Sequence, residues 1–399
     1  MGYLRTLLAQ RALLVFAGGH FTVDMYSGLM PVLYPLAVAD FNLTNTSVGL
    51  IALGYSAAGS LSQPFFGYLS DRFGSRYFVV VSMVWSAVMV GLAGIAPTYG
   101  FLVLFALMAG LGSGAYHPQG ASNAAAAVSD ERRNTALSIY TVGGSGGYAL
   151  GPIIAAGLFA LFGRSGTLAI APFGFFMAIL LWRQMRLLGL GGVRHLTQQR
   201  AEQRPIEWLL LAPVMLVVML RSWVIYSTIT FVPTWFDDLG YSAAFYSALT
   251  TLILATGAVG TLLGGVLADR IGQKVVLIAS LLLAFPFLVL FAQFPGPWSL
   301  LLGPLFVFAA DSGLSVTLVM AQRLLPGRVG VASGFILGIG FVTGGIGVPI
   351  TGAMADRIGM SGAVTITACL LLVAALLAAR LPARAQHSQA PVGAAEPAG

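Results

Sequence analysis

Charged side chains are scarce in this sequence. Asp, Glu, Lys and Arg make up only 8% of its 399 residues, against about 25% in a typical soluble domain. Cysteine is almost missing as well, and the single Cys369 excludes both a disulfide framework and a cysteine-based metal site. The four histidines include no pair at metal-binding spacing on one helix, and no G-x-x-x-x-G-K-S/T loop occurs. We therefore predict no metal, no cofactor and no ATP-driven activity.

Hydrophobic residues take the place of the missing charges. They make up 58% of the chain, whose mean hydropathy is +0.89, and a soluble fold of this length could not bury so much apolar surface. Twelve apolar stretches are each near or above the roughly 20 residues that a membrane-spanning helix needs. They cover residues 12–38, 46–69, 77–96, 101–128, 136–162, 168–188, 208–236, 246–267, 275–294, 298–324, 329–355 and 363–381. The sequence predicts an all-α integral membrane protein with twelve transmembrane helices.

The positions of the arginines predict the orientation. With the N-terminus in the cytoplasm, the outer loops carry only Arg164 and Arg357, Arg221 lies inside a span, and every other lysine or arginine lies on the inner side. Positive residues favour the cytoplasmic side of a membrane, so we expect both termini to be cytoplasmic. The same distribution accounts for the net charge of +7. We predict no nucleic-acid partner, because the basic residues form no patch beside aromatic side chains.

A charged phrase occurs twice in this apolar chain. GYLSDRFGSR, residues 67–76, follows the second span, and GVLADRIGQK, residues 265–274, follows the eighth. The matching places predict two pseudo-symmetric six-helix bundles with a binding site between them near the middle of the membrane. An aspartate at a helix end can pair with an arginine or with exposed backbone N–H groups and so hold one face closed. The predicted gating residues are Asp71, Arg72, Arg76, Asp269 and Arg270. The alternative is a charged loop that only anchors the topology.

The repeat also sets the predicted domains. They are an N-terminal bundle at 1–188, a cytoplasmic linker at 189–207, a C-terminal bundle at 208–381 and a disordered cytoplasmic tail at 382–399. A third, partial copy of the phrase, GAMADRIG at 352–359, lies on the outer side in this topology. The sequence assigns no role to it.

Five histidine, aspartate or arginine residues lie well inside the predicted spans, away from the span ends. A charge in the membrane interior costs at least about 2.5 kcal/mol, so these side chains are expected to face a water-filled cavity and to have partners. Burial and a nearby cation act in opposite directions on a carboxyl group, which suits a group that gains and loses a proton. The predicted proton-coupling residues are Asp24, Asp311 and His20, with Asp24 as first choice. The alternatives are a fixed structural pair of Asp24 with His20 and a place near the membrane surface for Asp311.

Substrate binding is predicted at the remaining ionisable residues and at aromatic neighbours. Arg221 keeps its charge permanently, so it is expected to bind an anion such as a phosphonate or carboxylate, to act as counter-ion of a proton carrier, or to form a structural pair. His117 is either a polar group of the cavity wall or a packing histidine. Tyr140, Trp223 and Tyr226 are candidates for the amphipathic cavity wall, with ordinary aromatic packing as the alternative.

The quoted motifs resemble those of known transporters. The doubled phrase resembles the signature of the major facilitator superfamily, G-x-L-x-D-R-x-G-x-R/K, between the second and third spans. The fifth span, GGSGGYALGPIIAAG, resembles the antiporter motif of drug/proton exchangers in that superfamily. Small residues every four positions permit close helix contact and proline kinks the helix, so Gly147, Gly151 and Pro152 are expected to act in gating.

A narrower resemblance is to the fosmidomycin-resistance group of bacterial efflux transporters. It rests on HFTVDMYSG, SLSQPFFGYLSD and GSGAYHPQGASNAA, and the matching residues are His20, Asp24, Gln63, Pro64, His117 and Pro118. This resemblance adds Gln63 to the expected substrate-binding residues. It implies a monomeric, multi-pass protein of the bacterial inner membrane that exports a small antimicrobial or related compound in exchange for protons by alternating access. The alternative is a proton-coupled uptake symporter of an organic anion or other small metabolite. A membrane enzyme would need a cluster of nucleophile or metal ligands, which the sequence lacks, and a receptor would need a signalling domain.

Overall fold

The computed structural model describes residues 2–129, 132–190, 208–324 and 329–381. These residues form thirteen α-helices and one short 3-10 helix, Gly163–Ile170. The α-helices are α1 Gly2–Phe41, α2 Asn45–Phe73, α3 Ser75–Ala93, α4 Tyr99–Ala126, α5 Arg133–Phe162, α6 Ala171–Leu187, α7 Trp208–Asp238, α8 Ala243–Ile271, α9 Gln273–Gln293, α10 Ser299–Asp311, α11 Leu314–Leu324, α12 Val329–Ile358 and α13 Met360–Arg380. Most of the predicted linker and the whole predicted tail lie outside the described residues.

The helices confirm the predicted all-α membrane fold. Eight stretches of the described residues are both long and apolar enough to cross a bilayer. Thirteen helices give twelve spans because α10 and α11 together form the tenth span. The sequence predicts this span as one helix, but the structure breaks it at Ser312 and Gly313. The break lies about halfway along the tenth span, directly after Asp311.

Six spans form each bundle, and the two bundles repeat the same packing. In the first bundle α1 packs on α5, α2 and α3 pack on α4, and α3 packs on α6. The second bundle repeats every one of these pairs, with α7 on α12, α8 and α9 on α10, and α9 on α13. Helices α7, α8 and α10 are therefore the equivalents of α1, α2 and α4. The predicted pair of pseudo-symmetric bundles is confirmed.

The charged phrases have a common local structure. In all three copies the aspartate–arginine pair lies in the last turn of a helix, and a single glycine joins that helix to the next. Gly74, Gly272 and Gly359 have φ angles of 87°, 100° and 79°, a left-handed region that favours glycine. Each of these glycines also donates its backbone N–H to a carbonyl of the preceding helix. The phrase is therefore a one-residue corner between two helices, and the third copy is built like the first two.

The bundles meet mainly through α2 with α12, α5 with α8, and α1 with α7. We call the membrane face on which α1 begins the near face and the opposite one, on which α2 begins, the far face. Toward the far face α2 and α12 are in backbone contact, since a Cβ on Gly49 would lie 2.5 Å from the Cα of Pro349. The cavity lies below this contact, between the bundles.

Candidate functional site

Two adjoining chambers lie between the bundles. The larger, about 700 Å³, is lined mainly by α1, α2, α4 and α5, and the smaller, about 260 Å³, mainly by α7, α8 and α10. Tyr148, Tyr226 and Ile229 line both chambers and so separate one from the other. Gln63 and Ala121 also line the larger chamber, and both belong to the near-face halves of their helices. Tyr34 and Ala52, in the far-face halves of α1 and α2, line it as well, so the larger chamber runs from below the α2–α12 contact toward the near face.

Asp24 lies between two histidines in the wall of the larger chamber. His20, one turn earlier on α1, places Nε2 3.1 Å from Asp24 Oδ2. His117, from α4, places Nε2 3.1 Å from Asp24 Oδ1. The Nδ1 atoms point the other way: that of His20 lies 2.8 Å from the carbonyl oxygen of Tyr140, and that of His117 lies 2.7 Å from the carbonyl oxygen of Ser113. We call His20, Asp24 and His117 the triad.

The Nδ1 contacts of the triad assign one hydrogen to each histidine ring. A carbonyl oxygen only accepts hydrogen bonds, so each Nδ1 carries a hydrogen. Each Nε2 then faces an oxygen of the Asp24 carboxyl group, and a hydrogen bond there needs a proton on either the ring or the carboxyl. Both Nε2 atoms therefore lie where they can share a proton with the Asp24 carboxyl group. The three ligand atoms lie within 4.8 Å of one another, so these side chains are also the group able to hold a metal ion among the described residues.

The four-residue spacing of His20 and Asp24 places them on one helix face, and their pairing is one of the sequence-based alternatives, but the sequence does not predict that His117 joins them. The sequence also does not single out Gly144 on α5. The triad occupies the space that a side chain at this position would fill. A Cβ at Gly144 would clash with the His20 ring and would lie 2.6 Å from Asp24 Oδ2. The only signal for this position is its place in the glycine-rich run 143–147.

Gly144→Ala is expected to displace the triad and to lower transport about tenfold, because forcing a methyl group into a filled space costs about 1–3 kcal/mol. Gly146→Ala is the matched control, since a Cβ there meets only the Phe21 ring at 3.8 Å. Substrate flux into vesicles and the melting temperature of the purified variants measure the two effects. Equal flux in the two variants would contradict the packing of Gly144 against the triad.

The second ion pair lies on the equivalent helices of the other bundle. Arg221 on α7 donates from Nη1 to Asp311 Oδ1 at 2.6 Å, and the Arg221 side chain is only 4% exposed. Each bundle thus joins its first and fourth spans by a charged contact, but the acid is on the first span in one bundle and on the fourth in the other. Asp311 ends α10 at the helix break, which places it at mid-span rather than near a membrane surface.

The Arg221 guanidinium has an N–H donor that the ion pair with Asp311 does not use. Its Nε is buried and has no hydrogen-bond partner among the described residues. Both Arg221 and Asp311 line the smaller chamber. Gly257 on α8 makes room for the pair, because a Cβ there would lie 2.6 Å from Asp311 Oδ2. The pair is therefore reachable from the cavity and is not sealed inside the bundle.

Most of the predicted substrate-binding residues lie at the cavity. Gln63, His117, Tyr140 and Tyr226 line the larger chamber. Trp223 differs from the prediction that it binds substrate at the cavity wall, because it lines neither chamber. Its indole N–H donates to Thr351 Oγ1 at 2.9 Å, and its ring packs against Gly347, so it belongs to the contact between α7 and α12.

Three further tyrosines of the cavity wall are not predicted from the sequence. Tyr34, Tyr55 and Tyr148 line the larger chamber, and the Tyr55 hydroxyl lies 2.7 Å from the hydroxyl of Ser27. An aromatic residue in an apolar span gives no sign of whether it faces lipid or a cavity, so the sequence carries no signal for them.

The near-face gating residues make contacts within their own bundles. Arg76 donates from Nε and Nη2 to the carbonyl oxygen of Leu190 at 3.1 and 2.8 Å. Its equivalent, Lys274, donates to the carbonyl oxygen of Leu381 at 2.6 Å. The last basic residue of each phrase thus holds the chain just after the sixth span of the same bundle.

The other residues of these two phrases lie at the surface. Arg72 lies over the ring of its neighbour Phe73, 5.5 Å from the ring centroid. Asp269 and Arg270 are exposed and form no ion pair within the part of the chain that the structure describes. The side chain of Asp71 lies outside the described residues.

The glycines of the fifth span pack within the N-terminal bundle. A Cβ on Gly147 would clash with the carbonyl oxygen of Phe21, and one on Gly151 would lie 2.6 Å from that of Met25. Both glycines therefore bring α5 into backbone contact with α1, next to the triad. Pro152 follows them and is buried.

Two six-span bundles around a central cavity are the architecture of a transporter of small molecules in a lipid bilayer, and the match to a transporter family makes the chain a transporter rather than an enzyme. The model of the Major Facilitator Superfamily matches residues 15–249 and 214–398. The chain belongs to this family.

Relatives of the chain include a bacterial resistance protein and an uncharacterized bacterial transporter. It is 30% identical to the fosmidomycin resistance protein of Escherichia coli (strain K12), over 85% of this chain and 84% of that protein. It is 31% identical to the uncharacterized MFS-type transporter YfnC of Bacillus subtilis (strain 168), over 91% of this chain and 90% of that one. Among solved structures, a bacterial homolog of the human lysosomal transporter Spinster, inward-facing and occupied, has a TM-score of 0.80 at 16% identity and covers 95% of this chain and 97% of its own. That likeness concerns the fold alone.

Proposed function

We propose that this protein exports a small antimicrobial or related compound, anionic compounds included, in exchange for protons across the bacterial inner membrane. The triad carries the proposal. It brings three titratable side chains into contact in the wall of the larger chamber, an arrangement suited to taking up and releasing a proton. In this scheme His20, Asp24 and His117 couple protons to transport, and Asp311 is a second proton site.

The names of the relatives support export. The E. coli relative is a fosmidomycin resistance protein, and a relative in Enterobacter lignolyticus (strain SCF1), 26% identical over 90% of this chain, is a multidrug resistance protein, MdtG. The arginine distribution supports a cytoplasmic near face. The larger chamber, which extends toward that face, would then admit its substrate from the cytoplasm.

The Arg221–Asp311 pair supports an anionic or polar substrate. A guanidinium with unused N–H donors binds carboxylate and phosphonate groups in a bidentate manner. The tyrosines between the chambers offer flat apolar surfaces with polar tips, which suit a compound with an apolar body. We assign the substrate to the space between Tyr148 and Arg221, with its charged end in the smaller chamber.

Proton-driven flux in inverted membrane vesicles tests the proposal. Vesicles that are acidified inside receive a panel of phosphonates, carboxylates, neutral compounds and cations, with a chelator present so that metal ions play no part. We expect at least one anionic compound to accumulate inside while protons leave. Flux that ignores the pH gradient would contradict proton coupling. In vesicles preloaded with the compound, substrate that leaves together with protons would show uptake by symport in the cell instead of export.

A further inference from the structure

The third copy of the charged phrase lies on the far face, where it joins the two bundles. Asp356, in the last turn of α12, accepts four hydrogen bonds from the first two residues of α2. Its Oδ1 accepts from the backbone N–H of Asn45 at 2.8 Å and from its side-chain amide at 3.0 Å. Its Oδ2 accepts from the backbone N–H of Thr46 at 3.0 Å and from its hydroxyl at 2.6 Å. We call this set of contacts the far-face contact.

The far-face contact supplies hydrogen-bond acceptors for the first backbone N–H groups of α2. The first N–H groups of a helix have no partner within the helix and carry its positive end. The side chain of Thr44, the residue before α2, accepts from the N–H of Ser47 and not from that of Asn45 or Thr46. The N–H groups of Asn45 and Thr46 are satisfied by a carboxylate from the other bundle, more than 300 residues away in sequence. A separation of the bundles at this face must therefore leave two backbone donors and one carboxylate without their partners.

The surrounding backbone is shaped for this contact. A Cβ on Gly352, one turn before Asp356, would lie 2.5 Å from the carbonyl oxygen of Asn45. The Tyr99 hydroxyl donates to the Ser47 carbonyl oxygen at 3.1 Å and so fixes the start of α2 from within its own bundle. The contact is exposed to water, so water can replace its hydrogen bonds when the bundles move apart. The far-face contact can therefore stabilise a state closed at the far face, and water can release it.

The near-face copies of the charged phrase differ from the far-face copy in exposure and contacts. Asp269, which has the same place in its phrase as Asp356, is exposed and forms no ion pair among the residues that the structure describes. The structure thus shows the far-face aspartate engaged between the bundles while a near-face aspartate is not, and the larger chamber extends toward the near face.

We propose that Asp356 is a positioning residue of the transport cycle, which stabilises the state closed at the far face by capping α2 from the opposite bundle. Its release accompanies opening toward the far face. The inference needs only alternating access and is independent of proton coupling, of substrate and of transport direction.

Cysteine accessibility tests the role of Asp356. In a Cys369→Ser background, Tyr34→Cys reports on the far-face end of the larger chamber and Ala121→Cys on its near-face end. Asp356→Asn is expected to raise the labelling rate of the Tyr34→Cys reporter by a membrane-impermeant maleimide about tenfold, the order expected when a charge-assisted contact to a helix terminus is lost. The same variant is expected to lower labelling of the Ala121→Cys reporter, because one state gains population at the expense of the other.

Three further variants separate a gate from a fold defect. Asp40→Asn is the matched control, since Asp40 is also at the far face but pairs with Arg164 of its own bundle at 2.9 Å, and it should change neither reporter. Asp356→Glu should restore much of the protection. Thr46→Val should act in the same direction as Asp356→Asn and add little to it, because both remove parts of one contact. A simultaneous rise at both reporters, or an equal effect of Asp40→Asn, would overturn the proposal, as would an unchanged Tyr34→Cys reporter.

Discussion

Asp24→Asn is expected to reduce proton-driven flux roughly 100-fold or more, the range over which loss of a proton-transfer group lowers a rate. Asparagine has almost the same shape as aspartate but cannot gain or lose a proton at neutral pH. Its amide can donate to one histidine while its oxygen accepts from the other, so the triad keeps its contacts and its packing. The measurement is substrate accumulation in vesicles with an imposed pH gradient, beside substrate exchange at equal pH on both sides. Exchange should persist in the variant because it does not require a net proton movement.

The control for this prediction lies on the same helix. Asp40→Asn removes an acidic group from the far end of α1, where Asp40 pairs with Arg164 and is half exposed, and it should leave both assays unchanged. His20→Gln and His117→Gln each remove one of the two Nε2–Oδ contacts, so each should weaken coupling without stopping exchange. If Asp24→Asn kept full gradient-driven accumulation, proton coupling at the triad would be wrong, whatever happened to exchange.

The helices and the repeat could be predicted from the sequence because both depend on local properties. A span needs only enough consecutive apolar residues, and a corner such as Asp269 to Gly272 needs only a glycine after a helix end. The two phrases lie at matching places in the two halves, which is enough to predict two similar bundles. The break after Asp311 is different, since the apolar pattern resumes after it and the only local signal is the pair Ser312–Gly313, which favours a turn but also occurs inside membrane helices.

Contacts between distant helices account for what the sequence does not predict. Helical spacing shows that His20 and Asp24 share a face, but the arrival of His117 depends on how α4 packs on α1 and α2. The same limit applies to Asp356, whose partners become visible only when α2 and α12 are placed side by side. Trp223 shows the same limit from the other side. It lies one turn from Tyr226, and the sequence predicts it at the cavity wall, but its ring packs against Gly347. Sequence spacing orders the residues along one helix, whereas the cavity is formed by several helices at once.

Arg221→Gln is expected to abolish transport of anionic compounds and to lower the stability of the protein. Arg221 is buried against Asp311, and removing one partner of a buried ion pair costs about 3–5 kcal/mol because the other charge loses its counter-ion. The loss of stability alone would reduce transport of every compound. A comparison of Arg221→Gln with the wild type therefore shows that the pair matters but cannot separate structure from substrate binding.

The double variant Arg221→Gln/Asp311→Asn makes that separation. It replaces two charges by two amides that can hydrogen-bond to each other, so no unpaired charge remains, and the melting temperature should recover most of what the single variant loses. If Arg221 binds the anionic group of the substrate, the double variant should still fail with phosphonates and carboxylates while regaining flux of neutral compounds. Equal recovery for all compounds would show that the arginine serves only as the partner of Asp311. Equal loss for all compounds in a stable double variant would instead indicate that Asp311 carries a proton that every substrate requires.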